Sequence, residues 1–249
     1  MAKQHPTART GKDGTLWLYG LHTVRAALAN PRRRCHRCLL TRTAGENLGA
    51  KALSRVRSEV VAPDQVSRAL PQGAVHQGVA LACDPLPPDS LEHLAELPGR
   101  KLVLVLDQIA DPHNVGAILR SAAAFDVAAV VVQERHAPPE SGALAKAASG
   151  GLDIVPYVPV VNIARALEQL GEHGFWRVAL TGDGGQTLAG AVVSRDLALV
   201  LGSEGTGIRR LVRERCDESA TIPISSRMDS LNVSNAAAIA LYECRRGSG

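Results

Sequence analysis

Residues 102–106 read Leu-Val-Leu-Val-Leu, an apolar run with no polar alternation. A strand that faces water on one side alternates apolar and polar residues. An unbroken run is buried on both faces, the condition of a parallel sheet covered by helices. Val127–Val132 and Leu197–Leu201 repeat the pattern. Helical stretches separate these runs. Asp111-Pro112 offers an N-cap and a proline at the first helical position. Residues 141–149 form a short helix, Asn162 caps a helix reaching about Glu172, and an Ala-rich helix closes the chain over Asn232–Arg245. Further strands are expected at Ile154–Val158, Trp176–Thr181 and Ala220–Ile224, with a helix at Gly207–Arg215. Strands alternating with helices predict an α/β domain with a mainly parallel sheet.

A different pattern precedes this domain. Leu21, Val24, Ala27 and Leu28 share one helical face that ends at Asn30-Pro31. A short strand is expected near Leu39-Leu40, a second, basic helix over 46–58, and a strand at Val79–Cys83. Residues 84–89, Asp-Pro-Leu-Pro-Pro-Asp, cannot continue a helix or a central strand. The organisation that follows is a polar, disordered N-terminus over 1–14, a small α/β domain over 15–84, a linker over 85–99 and the larger domain over 100–249. Charge divides near the same place. Residues 1–70 hold 13 basic and 4 acidic side chains, a net of +9, whereas residues 71–249 hold 15 and 20, a net of −5. The overall +4 conceals that split. A basic first domain points to a polyanionic partner, with Arg25, Arg32, Arg33 and Arg34 as the candidate contacts.

Several classes are excluded. No apolar run has the length of a transmembrane helix, and Met1–Gly14 lacks the apolar core of a secretory signal. Five scattered cysteines in a chain of 249 residues suggest a reduced, cytoplasmic protein rather than a disulfide scaffold. Cys35-His36-Arg37-Cys38 has metal-ligand spacing but no second pair, so no metal is expected. Aromatics at 3% leave little for a base-stacking platform.

Three loops join a strand to a helix, on the edge where open α/β sheets bind ligands. The first runs from Asp107 through Asn114 and Gly116 to Arg120. The second, Leu201-Gly202-Ser203-Glu204-Gly205-Thr206-Gly207, has glycines at spacings that do not match a dinucleotide fingerprint. The third joins Ile222-Pro223-Ile224 to Ser230-Leu231-Asn232-Val233-Ser234-Asn235, with more hydroxyls and amides than one helix cap uses. Gly182–Gly185 is most simply a turn.

In order and spacing these loops resemble the three motifs of the SpoU (TrmH-like) RNA 2′-O-methyltransferases of the SPOUT class. The resemblance covers 101–246. It extends to Gly20-Leu21-His22-Thr23-Val24 and His76-Gln77-Gly78-Val79, which are similar to the small RNA substrate-binding domain of many members. Within the family the chain is most similar to the bacterial 23S ribosomal RNA guanosine-2′-O-methyltransferase subgroup. The resemblance implies a parallel sheet whose last segment threads a trefoil knot, and a homodimer formed through helices of that domain. It implies S-adenosylmethionine held at Gly202, Ser203, Gly207, Ile222 and Leu231. Asn114, Arg120, Glu204, Ser230 and Asn232 would carry the chemistry. Arg120 would sit at the ribose 2′-OH, as a base or as an electrostatic stabiliser, with Arg209-Arg210 also facing RNA. A tRNA 2′-O-methyltransferase, an antibiotic-resistance methyltransferase and a non-catalytic ribosome-assembly protein remain as alternatives.

Overall fold

The computed structural model describes residues 15–191 and 195–246, so the N-terminal segment expected to be disordered lies outside the described residues. From Leu16 the chain forms β1 (Leu16–Tyr19), α1 (Leu21–Ala29), β2 (Cys35–Leu40), α2 (Arg42–Leu48), α3 (Ala50–Leu53), β3 (Arg57–Val60), α4 (Pro63–Arg68) and β4 (Val79–Cys83). It continues through α5 (Leu91–Ala95), β5 (Leu102–Asp107), α6 (Pro112–Ala124), β6 (Ala129–Gln133), α7 (Gly142–Ala148), β7 (Tyr157–Val160) and α8 (Ile163–Glu172). Next come β8 (Trp176–Leu180), β9 (Gln186–Thr187), α9 (Leu188–Ala191), β10 (Leu197–Gly202), α10 (Arg210–Arg213), β11 (Glu218–Thr221) and α11 (Val233–Arg246). No helix among the described residues is long and apolar enough to cross a membrane.

The chain divides into two compact units, residues 1–87 with 138–154, and 88–137 with 155–249. In the first, four strands run in the order β1-β4-β2-β3. The β1–β4 and β4–β2 pairs are antiparallel and β2–β3 is parallel. Thr23, Val24, Ala27 and Leu28 form the buried face of α1. The basic helix expected over 46–58 is not one helix. Gly49, at φ +81°, ends α2, and residues 57–60 leave helical geometry to pair with β2. Strand pairing outweighs the local helical preference there.

The segment 138–154, placed by the sequence within the larger domain, packs in this first unit. Gly142 allows α7 to approach closely, since a Cβ there would lie 2.5 Å from the Trp17 carbonyl oxygen. Thr23 Oγ1 donates to the Ala145 carbonyl at 3.2 Å. Arg33, expected on an RNA-facing surface, is instead 3% exposed. Its guanidinium pairs with Glu140 and, at 2.9 Å, with Asp153. A side chain enclosed between two carboxylates has no surface to offer RNA.

The second unit holds a seven-stranded sheet, β7-β6-β5-β10-β8-β11-β9, with every observed pair parallel. The Leu102–Leu106 run is its central strand β5, and Val103, Leu104 and Val105 are completely buried. Asp111 caps α6 through the His113 amide, and Asn162 caps α8 through the Arg165 amide. The stretch 85–99 is not all linker. It carries α5, whose Leu91 and Leu94 join the core beside Leu167 and Leu170. The strand expected at 154–158 begins at Tyr157, after a 3-10 turn over Gly151–Asp153. The helix expected over 207–215 is reduced to Arg210–Arg213, and the strand expected at 220–224 ends at Thr221.

Candidate active site

The three motif loops leave the sheet at the carboxyl ends of β5, β10 and β11. Because β5 and β10 are neighbours and only β8 separates β10 from β11, the loops emerge side by side. Asn114 lies in the first turn of α6, and Asn232 immediately precedes α11, which packs along α6. Glu204 reaches both from the β10 loop. Its Oε1 accepts from Asn232 Nδ2 at 2.7 Å, Val233 N at 3.3 Å and Asn114 Nδ2 at 3.4 Å. Asn232 Nδ2 also donates to Asn114 Oδ1 at 3.0 Å. The amide is oriented from its other end, since Asn232 Oδ1 accepts from Ser234 N at 3.0 Å and Ser234 Oγ at 2.6 Å. One side chain from each motif thus enters a single hydrogen-bonded cluster.

The β10 loop folds on itself. Ser203 Oγ and Thr206 Oγ1 lie 2.6 Å apart, and Gly207 N donates to the Ser203 carbonyl at 2.9 Å. Gly202 is required by this closure, because a Cβ there would sit 2.1 Å from the Gly207 carbonyl carbon. The loop's far end is anchored at Asp107, which is fully buried at the end of β5. Asp107 accepts from Arg209 N at 2.9 Å and Nε at 2.8 Å, and pairs with Nη2 at 2.6 Å. Arg209, expected to face RNA, is therefore engaged internally. Arg210 is exposed and pairs with Glu214 on its own helix.

Beside the cluster lies a cleft of about 800 Å³, lined in part by Gly202, Ser203, Glu204, Gly207, Ile222, Ser230 and Leu231. The five residues assigned to a cofactor and two of those assigned to chemistry therefore border one space. Arg120 stands apart from the cluster. It is exposed on α6 and has no ion-pair or hydrogen-bond partner among the described residues. Thr181, Gly182, Asp183 and Arg213 also line the cleft. Asp183 accepts from Arg213 Nη1 at 2.9 Å, and that guanidinium holds its carboxyl below the usual aspartate range. The 182–185 turn is thus more than a connector. Its position after β8, next to β10, was the available signal. Among the described residues, no group of three His, Cys, Asp or Glu side chains is arranged to hold a metal ion.

The sequence model of the SpoU rRNA Methylase family matches residues 101–242, spanning all three loops. The chain belongs to the SpoU rRNA methylase family. Residues 17–89 match a second model, RNA 2′-O ribose methyltransferase substrate binding. The SpoU chain is 35% identical over 237 residues to the 23S rRNA (guanosine-2′-O-)-methyltransferase RlmB of Vibrio vulnificus, covering 92% of this chain and 96% of that one. RlmB of Nitrosomonas europaea is 47% identical over 185 residues, 70% of each chain. Among solved structures, the AdoMet complex of the SpoU methyltransferase AviRb from Streptomyces viridochromogenes superposes with a TM-score of 0.78 at 22% identity. It covers 96% of this SpoU chain and 92% of its own, and at that identity it shows the shared fold.

Proposed function

We propose that this protein transfers a methyl group from S-adenosylmethionine to the ribose 2′-OH of a guanosine in 23S ribosomal RNA. The observation that carries the reading is the Asn114–Glu204–Asn232 cluster, which joins all three SpoU motifs at the rim of one cleft. Both RlmB relatives bear the name of that reaction, one across nearly the whole chain. The cleft fits the cofactor. Its volume suits a ligand of that size, and its wall combines the closed β10 loop with the apolar side chains of Ile222 and Leu231.

When bound, S-adenosylmethionine supplies an electrophilic methyl group on a sulfonium. The chain supplies position and charge. Glu204 holds both asparagine amides, so the motif loops keep a single geometry and the approach of oxygen to methyl is set in advance. Ser230 lines the cleft with a hydroxyl that has no bond among the described residues, and it is free to orient ribose or cofactor. The Arg120 guanidinium has no partner among the described residues, and it serves as an electrostatic stabiliser of the developing alkoxide. The first unit supplies RNA affinity through exposed arginines, of which Arg34 keeps most of its side chain in solvent. Arg25 and Arg32 are exposed too, although each already donates to a carbonyl, Asn47 and Pro87 respectively.

A second copy of the chain completes the assembly. Ile239 is 44% and Tyr242 57% exposed on α11, beside α6, and the Tyr242 ring meets Phe125 edge-on at 6.5 Å. This apolar face suits a homodimer interface. The cytoplasm is the compartment that suits both ribosomal RNA and five cysteines outside any disulfide. Tritium transfer from labelled S-adenosylmethionine into 23S ribosomal RNA, with tRNA as competitor, tests the substrate. Label in 23S RNA alone is expected, and label in tRNA alone would favour the tRNA enzyme.

A further inference from the structure

Four charged side chains line the cleft, three of them acidic: Asp183, Glu204, Asp229 and Arg213. Two of the carboxylates are already engaged. Asp183 is paired with Arg213 at 2.9 Å, and Glu204 accepts the three N–H groups of the motif cluster. Asp229 differs from both. It has neither a hydrogen bond nor an ion pair among the described residues. It lines the cleft together with Ser230, its neighbour in sequence, three residues before Asn232. Asp229 is therefore a carboxyl on the cleft wall that no described cation or N–H group engages.

The donor enters this cleft as a sulfonium and leaves it as a neutral thioether. The bond from sulfur to the methyl carbon breaks with its electron pair retained by sulfur. The ribose oxygen forms the new bond and releases its proton to solvent. A carboxylate on the wall of the cleft would attract the first species and be indifferent to the second. Resting on the cofactor reading above, we propose that Asp229 determines the charge specificity of the cleft, favouring the sulfonium donor over the uncharged product. The bias helps spent cofactor to leave and keeps product from occupying the site. In a cleft open to water, one such carboxylate is worth up to roughly fivefold in affinity, and salt weakens it.

The test is calorimetric titration of the full chain and of Asp229→Asn and Asp229→Glu. The ligands are S-adenosylmethionine, S-adenosylhomocysteine and sinefungin, which carries an ammonium in place of the sulfonium. Asp229→Asn should weaken the two cationic ligands by about three- to fivefold at low salt. S-adenosylhomocysteine should change less than about twofold, and Asp229→Glu should restore most of the difference. Equal losses for all three ligands would overturn the proposal, because they would mark a contact to a group the ligands share. No change for any of them would overturn it as well. If the unmodified protein binds none of the three, the cofactor reading itself fails, a result distinct from a failure of Asp229.

Discussion

At the scale of single residues, Arg33 and Arg34 are adjacent in sequence and opposite in fate. Arg34 is 81% exposed along its side chain, whereas that of Arg33 is wholly enclosed by Glu140 and Asp153. Nothing in the run Arg32-Arg33-Arg34 distinguishes them. The partners that draw Arg33 inward lie 107 and 120 residues away. Arg33→Ala should destabilise the protein by about 3–5 kcal/mol, because two buried carboxylates lose their counter-charge. Arg34→Ala should change stability by less than about 0.5 kcal/mol in the same denaturant titration. The three loops that carry Asn114, Glu204 and Asn232 were legible because each stands at a strand-to-helix junction, and the resemblance to the SpoU motifs singled out the three residues within them. Arg120 is the sharpest residue-level test. Arg120→Ala should lower methyl transfer by about 10²–10³ or more, the loss typical of one donor to a developing oxyanion. Cofactor affinity by calorimetry should stay within about twofold. Retained turnover would contradict the role given to Arg120.

At the scale of elements, strands were easier to read than the short helices around them. The β5 and β10 runs are apolar throughout and have one solution, burial on both faces. Residues 46–58 were ambiguous because their outcome depends on Gly49 and on a parallel partner, β2, that local sequence does not display. The β10 loop tests the link between backbone geometry and binding. Gly202→Ala places a methyl where the Gly207 carbonyl carbon lies 2.1 Å away, so the loop must open. Cofactor affinity should fall by more than about tenfold, with a modest loss in the thermal melt. Another test concerns β8, which is tied to the start of β11 by Arg177 and Asp217 at 2.6 Å. Burial raises the Asp217 pKa, but the hydrogen bonds from the Arg177 side chain and backbone more than offset this, leaving it below the usual range. A carboxyl depressed in the folded state adds stability above its unfolded pKa, near 3.9, and loses that contribution as pH falls through the folded value. Asp217→Asn should therefore cost about 1–3 kcal/mol at pH 7. The difference from the unmodified protein should shrink below about pH 4 and vanish once the pH has fallen through the depressed folded value.

At the scale of the whole molecule, the charge split and the pair of compact units fit the proposed division of labour, affinity for RNA in the first and chemistry in the second. The sequence separated the two at the proline-rich stretch. It could not show that residues 138–154 return to the first unit, because that return depends on close glycine packing and on the carboxylates that enclose Arg33. The exposed apolar face of α11 carries a prediction at the same scale. Tyr242→Glu should convert the proposed homodimer to a monomer in light scattering, whereas an unmodified chain that is already monomeric would rule the dimer out. The central claim is that the three motif loops form one ribose-methylating site for 23S ribosomal RNA. It is tested most directly by mass spectrometry of nucleosides from unmodified 23S RNA, after incubation with the purified protein and S-adenosylmethionine. 2′-O-methylguanosine is expected at a single position, and its yield should collapse when Arg120→Ala replaces the unmodified protein. Methylation of a base, or no ribose methylation in 23S RNA at all, would contradict it.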